Sequence, residues 1–226
     1  MTARLVSPSC GRNRRPISEV LLERMLVWSG TEKRKARVLE FACGSGEHAG
    51  FVSSVLHKNG GILELWQPTD KEVTSEAAAS VAAWSEYESV PAGIVRPAQD
   101  VDCRGEWWKL DVVTTAAPTH LFVANMTHIS EWESTCGLLE GAAHVLTSTA
   151  DGGGGCLFIY GPFRVDGKHT APTNAEFDVS LKARNELWGI RDKDDDMAAE
   201  ANKWGLALVE AVQMPANNMI LVFEKR

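Results

Sequence analysis

RVLEFACGSGEHAG, running from Arg37 to Gly50, reads as a strand that enters a glycine turn and then opens a helix. Val38, Leu39, Phe41 and Ala42 are apolar or small, as a buried parallel strand requires. Gly44 and Gly46 follow, and from Glu47 onward Ala49, Val52, Val55 and Leu56 recur at helical spacing. A glycine turn in that place lets backbone approach a ligand and aims free helix N–H groups at it. The acidic Glu40 inside the strand strengthens the pattern. The final glycine of the dinucleotide fingerprint is absent, and no Gly-Lys-Ser/Thr follows, so the stretch is not a P-loop.

Outward from that turn, Gly60-Gly61 ends the first crossover helix and Ile62 to Gln67 reads as the second strand. Asp70 stands just past it, one strand–helix–strand unit beyond Glu40. An acid at that strand end commonly bonds the ribose hydroxyls of a nucleotide, although alone it could equally be a solvated turn residue. Thr74 to Tyr87 predicts a helix and Gly93 to Val101 a third strand ending near Asp100. Asp102 to Thr119 reads as a loop or insertion. His120 to Asn125 is a short apolar run, hence a central strand. Ser130 and Glu133 are spaced as a capping box for a helix whose inner face carries Leu138, Leu139, Ala142, Val145 and Leu146. After the flexible Asp151 to Gly155 turn, Cys156 to Tyr160 is the fifth strand. Residues 164–191 are long, polar and weakly periodic, as a binding region often is. Asp192 to Trp204 predicts a helix. Leu206 to Met214 and Met219 to Phe223 predict two strands in an antiparallel hairpin, because so few residues join them. At the other end, residues 1–15 look irregular, and Pro16 opens a helix with Ile17, Val20, Leu21, Met25 and Trp28 on one face.

Strands alternating with helices imply an α/β, doubly wound, mostly parallel sheet, with ligands at the carboxyl edge of the strands. Glu40 to Gly46, Asp70, Asp100, Asn125 to His128 and Tyr160 to Phe163 all gather on that edge, which points to a nucleotide-like cofactor.

Composition sets outer limits. The 226 residues are 44% hydrophobic and 23% charged, an ordinary globular balance for one α/β domain. A net charge of −7 argues against DNA or RNA as the main partner, despite the local Arg12, Arg14 and Arg15 patch. Cys10, Cys43, Cys103, Cys136 and Cys156 are odd in number and form no Cys-x-x-Cys pair. Reduced thiols in a cytoplasmic protein are expected, with no metal. No stretch is long and apolar enough to span a bilayer, so no membrane association is expected.

Glu40-Phe41-Ala42-Cys43-Gly44-Ser45-Gly46 resembles the first motif of class I methyltransferases, with Ala42 in place of the usual first glycine. Other stretches resemble one small family that includes the methyltransferase-like 26 proteins. They are Arg12-Asn13 with Pro16, Trp66 to Asp70, Asn125 to Ser130, Tyr160 to Phe163, Asp166 to Asn174, Trp188 to Asp192 and Met214 to Asn218. The resemblance runs from about residue 7 to residue 223 and departs locally at Asp102 to Thr119 and at Asp151 to Gly155.

It implies a single Rossmann-like class I methyltransferase domain over residues 1–226. The sheet would have seven mostly parallel strands with an antiparallel last strand, and helices on both faces. Residues 1–30 would supply an N-terminal lid segment and helix, and residues 164–191 a substrate-side insertion. The cofactor implied is S-adenosyl-L-methionine, with S-adenosyl-L-homocysteine as product. Glu40, Ala42, Gly44, Gly46, Asp70, Asp100, Val101, Asn125 and Met126 would bind it.

For catalysis the candidates are His128, His169 and Tyr160. His128 reads as a general base or as a pocket-shaping histidine, His169 as a substrate contact, and Tyr160 as a hydroxyl donor or a pocket wall. Substrate-binding candidates are Arg12, Asn13, Trp132, Phe163, Asn174, Trp188 and Arg191, the arginines as partners for a carboxylate. The expected reaction is methyl transfer to an O, N or S nucleophile of a small molecule, a thioether included. A protein or RNA methyltransferase and a non-catalytic cofactor-binding module are the alternatives. A monomer or homodimer is expected.

Overall fold

The computed structural model describes residues 4–149 and 154–226. Its elements in chain order are α1 (Pro8–Ser29), β1 (Ala36–Phe41), α2 (Glu47–Gly60), β2 (Leu63–Asp70), α3 (Ser75–Tyr87), β3 (Gln99–Asp100), α4 (Asp111–Ala116), β4 (His120–Ala124), α5 (Trp132–Val145), β5 (Cys156–Gly161), β6 (Arg164–Val165), β7 (Lys168–His169), α6 (Pro172–Arg184), α7 (Ala199–Lys203), β8 (Leu206–Met214) and β9 (Asn218–Lys225). Seven strands form a sheet in the order β3-β2-β1-β4-β5-β9-β8. β1 and β3 pair parallel with β2. β9 runs antiparallel to β8, as the short connection between them predicts, and also to β5. β6 and β7 make a separate hairpin.

The chain divides into two compact units, Met1–Asp102 with Lys109–Phe122, and Cys103–Trp108 with Val123–Arg226. In the first, the α1 face predicted from its spacing is buried at Ile17, Leu21 and Met25, and β1 and β2 bury Val38, Leu39, Phe41, Leu65 and Trp66. Arg37 ties β1 to α4, donating from Nε to Ala116 O at 2.7 Å. In the second, Leu138, Leu139, Leu157, Phe158, Met197, Leu221 and Phe223 are buried. Each such side chain contributes about 1.5–3 kcal/mol by leaving water.

Several segments differ from the sequence reading. α1 begins at Pro8, not Pro16. Pro8 takes the helix start, where a missing N–H costs nothing, and the buried face carries the helix through Pro16. Gly93 to Val101 is mostly irregular: only Gln99–Asp100 pairs as a strand, and Val95 makes a single bridge to Trp66. Pro97 lacks an N–H and interrupts the ladder.

Asp102 to Thr119 is not simply a loop. It holds a 3-10 turn at Trp107–Lys109 and the six-residue α4, too short to show a period. Ser130 does not cap α5: Glu131 holds that position, and the Ser130 hydroxyl donates to Met126 O. Residues 164–191 contain the β6–β7 hairpin and α6. The helix expected from Asp192 opens with a π-helical stretch, Lys193–Ala198. Within the Asp151 to Gly155 turn, residues 151–153 lie outside the described residues. None of the five cysteines forms a disulfide. Among the described residues no helix is long and apolar enough to cross a membrane.

Candidate functional site

The first unit builds its share of the candidate residues around the end of β1. The Cys43 N–H donates to Thr69 O at 2.9 Å, which docks the turn on β2. Ala42 (φ +53°), Gly44 (φ +51°) and Gly46 (φ +75°) all adopt left-handed backbone there. Gly46 also has no room for a side chain: an added Cβ would lie 2.5 Å from Val81 Cγ2 and 2.6 Å from Val81 Cα. Gly44 is the opposite, with nothing within 4 Å of an added Cβ, so the space beside its backbone is open.

Asp70, the last residue of β2, accepts from the Gly44 N–H through Oδ2 at 2.9 Å and from the Lys71 N–H through Oδ1 at 2.8 Å. It keeps partial exposure. Val101 is buried and donates its N–H to Asp70 O at 2.7 Å, while Asp100 Oδ1 accepts the Val73 N–H.

Glu40 is buried, and its Oε2 accepts the Trp66 indole N–H at 2.7 Å. Burial pushes this carboxyl up to about 8; the indole bond opposes the shift, and the Asp70 charge adds to it. Glu40 is therefore largely protonated at neutral pH. It acts as a hydrogen-bonded wedge between β1 and β2.

The N-terminal segment is bound to the same turn. The Leu5 N–H donates to Ser80 Oγ at 2.9 Å, and Ser80 Oγ donates to Ser45 O at 2.7 Å. Trp84 Nε1 donates to Leu5 O at 2.8 Å. Glu47, buried at the start of α2, accepts from the Ser7 N–H and pairs with Arg14 at 3.3 Å. His48 Nε2 lies 2.8 Å from Asn13 Oδ1, and Cys10 Sγ lies 3.6 Å from His48 Nδ1. An amide oxygen only accepts, so Nε2 carries the proton and Nδ1 faces the thiol. Burial lowers His48 to about 4 and raises Cys10 to about 11, so this thiol–imidazole–amide row stays neutral and serves to hold the segment. Asn13 is thus buried in that row, whereas Arg12 is exposed. Ser80, Glu47 and His48 were missed in the sequence. Glu47-His48 directly after Gly46 was the available signal.

The second unit holds the remaining candidates. Asn125 turns the chain with left-handed backbone (φ +64°), and its N–H donates to Tyr160 O at 2.8 Å. Met126 lies 4.0 Å by sulfur from Cys103. His128 is 3% exposed; its ring meets Phe177 edge to face with centroids 5.6 Å apart, and its Nδ1 makes no hydrogen bond. Burial lowers it to about 4, helped by the charges of Arg191 and Arg184. A Cβ on Gly161 would stand 3.3 Å from that Nδ1 and 3.9 Å from Phe163, which is fully buried. Tyr160 is buried within β5.

Arg191 engages three of its N–H groups with main-chain carbonyls. It donates to Thr127 O (3.2 Å), Ser130 O (3.1 Å) and Leu187 O (3.0 Å), and lies 5.4 Å from the Trp132 ring centroid. Trp132 and Trp188 are half-buried, Trp188 under the Arg184 guanidinium. His169 Nε2 stands 3.6 Å from Asp178 Oδ2, which also pairs with Lys182 at 2.6 Å. Asn174 is buried and donates to Thr170 Oγ1 and Asn217 O, both at 3.0 Å.

A family model described as "Protein of unknown function (DUF938)" matches residues 4–225. Among solved structures, an O-methyltransferase family protein from Burkholderia thailandensis aligns with TM-score 0.70 and 16% identity over 96% of this chain and 57% of its own. The mitomycin 7-O-methyltransferase MmcR aligns with TM-score 0.59 and 14% identity, over 94% and 56%. The O-methyltransferase NcsB1 from neocarzinostatin biosynthesis, in complex with S-adenosylmethionine and 2-hydroxy-5-methyl naphthoic acid, aligns with TM-score 0.58 and 14% identity, over 93% and 55%. The fold is therefore the Rossmann-like fold of these methyltransferases. The chain spans a little over half the length of these three solved chains.

Proposed function

Since this chain belongs to the DUF938 family, we propose that it is an S-adenosylmethionine-dependent methyltransferase acting on a small-molecule nucleophile, close to the methyltransferase-like 26 proteins. The observation that carries this reading is the bond from the Gly44 N–H to Asp70 Oδ2 beside open space. A carboxylate at the end of β2 and an unobstructed glycine backbone suit a ribose and an amino-acid moiety in turn. The O-methyltransferases of this fold, one of them solved with S-adenosylmethionine bound, support the same cofactor.

Asp70 would accept from the ribose hydroxyls. Gly44 and Gly46 would present backbone to the amino-acid part. Asp100 and Val101 would border the base, and Asn125 and Met126 would complete the binding set. Protonated Glu40 shapes the turn from within the strand and adds no charge to it. The segment from Leu5 to Arg14 acts as the lid of the glycine turn, held through Ser80, Glu47 and His48. When bound, the cofactor supplies an electrophilic methyl group on a sulfonium, ready for in-line transfer.

This chain's own work is then alignment, exclusion of water and, for an acceptor bearing O–H or N–H, removal of a proton. His128 would take the proton, since its imidazole has a nitrogen, Nδ1, without a hydrogen bond. Asp178 orients His169 toward a substrate contact, and Tyr160, Phe163, Trp132, Trp188 and Asn174 form the acceptor side. The reading is of one domain, working as a monomer or homodimer in the cytoplasm, where the absence of disulfides fits a reducing compartment.

Titration calorimetry with S-adenosylmethionine tests the first half, with saturable binding expected. Transfer of labelled methyl groups to a metabolite extract tests the second. A folded protein that binds no cofactor would remove the reading, and labelling confined to protein or RNA fractions would change the acceptor class.

A further inference from the structure

Between α3 and the segment that leads from it to β3 lies a groove of about 400 Å³, wholly within the first unit. The main chain fixes its outer wall. The Trp66 N–H donates to Ile94 O at 2.7 Å and the Arg96 N–H donates to Trp66 O at 3.0 Å, so residues 94–96 lie along β2. Pro97 then interrupts the pairing, and α3 faces this irregular segment instead of a continuous strand. Val81, Val90 and Val95 give the groove an apolar lining, and Gly93 (φ +87°) has nothing within 4 Å of an added Cβ. Val81 is buried and also packs against Gly46, yet none of Gly44, Gly46, Asp70, Asp100 and Val101 lines the groove.

We propose that this groove is a second small-molecule site, which binds an apolar α-amino acid as its zwitterion. The site goes beyond the methyltransferase reading and does not depend on it, because it shares no lining residue with the cofactor set.

Charge decides the class of ligand. Among the described residues Glu86 and Arg96 are the charged side chains that line the groove, and neither has a side-chain hydrogen bond or ion pair, with each other or with anything else described. Arg96 is half-buried, so its guanidinium has lost part of its water without gaining a partner. A ligand carboxylate matches that planar fork with two parallel hydrogen bonds. Glu86, exposed on α3, accepts from an ammonium group. A ligand that is only an anion meets Glu86 as a like charge, and one that is only a cation meets Arg96 in the same way. A molecule carrying both charges satisfies each. Ser85 competes little for the ligand as a donor, since its hydroxyl already donates to Val81 O at 2.9 Å. The three valines take an aliphatic side chain out of water. The volume lies near the lower end of the range for ligand sites, which suits an amino acid better than a nucleotide.

Titration calorimetry on the full chain compares L-leucine with isocaproate, which lacks the ammonium group, with isoamylamine, which lacks the carboxylate, and with glycine, which lacks the side chain. L-leucine should bind saturably, and each of the other three about tenfold more weakly or worse. Arg96→Gln and Glu86→Gln should each weaken L-leucine by about tenfold. The first should erase its advantage over isoamylamine, and the second its advantage over isocaproate. Both variants should melt as wild type does, because neither side chain has a partner to lose. Methyl NMR should place the ligand through shifts at Val81, Val90 and Val95. Absence of L-leucine binding at millimolar concentration, or equal affinity in wild type and both variants, overturns the proposal. So do shifts centred on Gly44 and Asp70, which would put the ligand at the glycine turn. S-adenosylmethionine is absent from every arm, so failure of the methyltransferase reading would leave this result unchanged.

Discussion

The Gly44 N–H points at Asp70 Oδ2 across 2.9 Å, joining the turn after the first strand to the last residue of the second. The two residues are 26 apart in sequence and belong to one strand–helix–strand unit. The contact pre-orients a carboxylate whose remaining lone pairs can accept hydroxyl groups.

Asp70→Asn keeps the shape and removes the charge and two acceptor sites. Its affinity for S-adenosylmethionine should fall by about tenfold or more, a loss of about 1.4 kcal/mol, and the free protein should melt somewhat lower, because an amide can accept only one of the Gly44 and Lys71 N–H bonds. Calorimetry and thermal melts, with and without cofactor, measure both. Wild-type affinity in Asp70→Asn would remove Asp70 from the cofactor set.

Gly46→Ala and Ala42→Gly should move in opposite directions. The first drives a methyl group into the Val81 backbone and strains a left-handed residue, so it should destabilise the fold by about 2 kcal/mol or more and abolish cofactor binding. The second relieves the left-handed alanine and should be neutral or stabilising by up to about 1 kcal/mol. Urea unfolding of both variants decides the point.

Ser80→Ala breaks the relay from Leu5 N–H to Ser45 O and should cost about 1–2 kcal/mol while loosening the N-terminal segment. Ser85→Ala, on the same helix, removes only a bond to Val81 O and should cost less than about 0.5 kcal/mol. Hydrogen exchange at Leu5 should quicken in the first variant alone. Equal exchange in both would show that Ser80 does not hold the segment.

Stability should rise with pH up to about 6.5 and then fall. His48, His120 and His128 are held neutral by burial at about 4, 3 and 4. Between those values and the ordinary 6.5 the unfolded chain binds more protons, so raising pH favours the folded state. Glu40 acts the other way. With its folded value raised to about 8, the native state keeps a proton the unfolded chain has lost, and stability declines as pH climbs from about 4.5 to 8. Three histidines outweigh one glutamate below 6.5, and Glu40 alone acts above it. Glu40→Gln retains an acceptor for the Trp66 indole, so it should remove the decline above 6.5. Denaturant melts at pH 5, 6.5 and 8 provide the comparison, and a parallel decline in Glu40→Gln would sink the assignment.

The proton step makes its own mark. With a hydroxyl acceptor, turnover should hold down to about pH 5 and fall only as His128 protonates near 4. A limb near the unperturbed 6.5 would assign the proton to a different group. His128→Ala should cut turnover by about a hundredfold for such an acceptor and leave cofactor affinity intact.

How much the sequence revealed follows the range of the forces involved. Gly44, Gly46 and Asp70 were legible because a turn with left-handed backbone between a buried strand and a helix leaves a local pattern. The central and terminal strands were legible because apolar runs and a short connection constrain pairing. Helix α4, the early start of α1 and the shortness of β3 were not. Six residues show no period, Pro8 and Pro16 are both plausible helix starts, and Pro97 breaks a ladder whose partner lies elsewhere in the chain.

Residue type proposed Arg191 as a carboxylate clamp, and the family resemblance placed Asn13 against the substrate and Glu40 against the cofactor. Tertiary structure decided otherwise, because hydrogen-bond partners and burial are set by what the folded chain brings alongside. Arg191 is engaged by three carbonyls, Asn13 by His48, and Glu40 is kept protonated by its burial. By itself the sequence determined the class of fold and the left-handed glycine turn after its first strand. Only the packed chain determined which of the candidate side chains still have a hand free, since charge state and hydrogen-bonding capacity are properties of surroundings rather than of residue names.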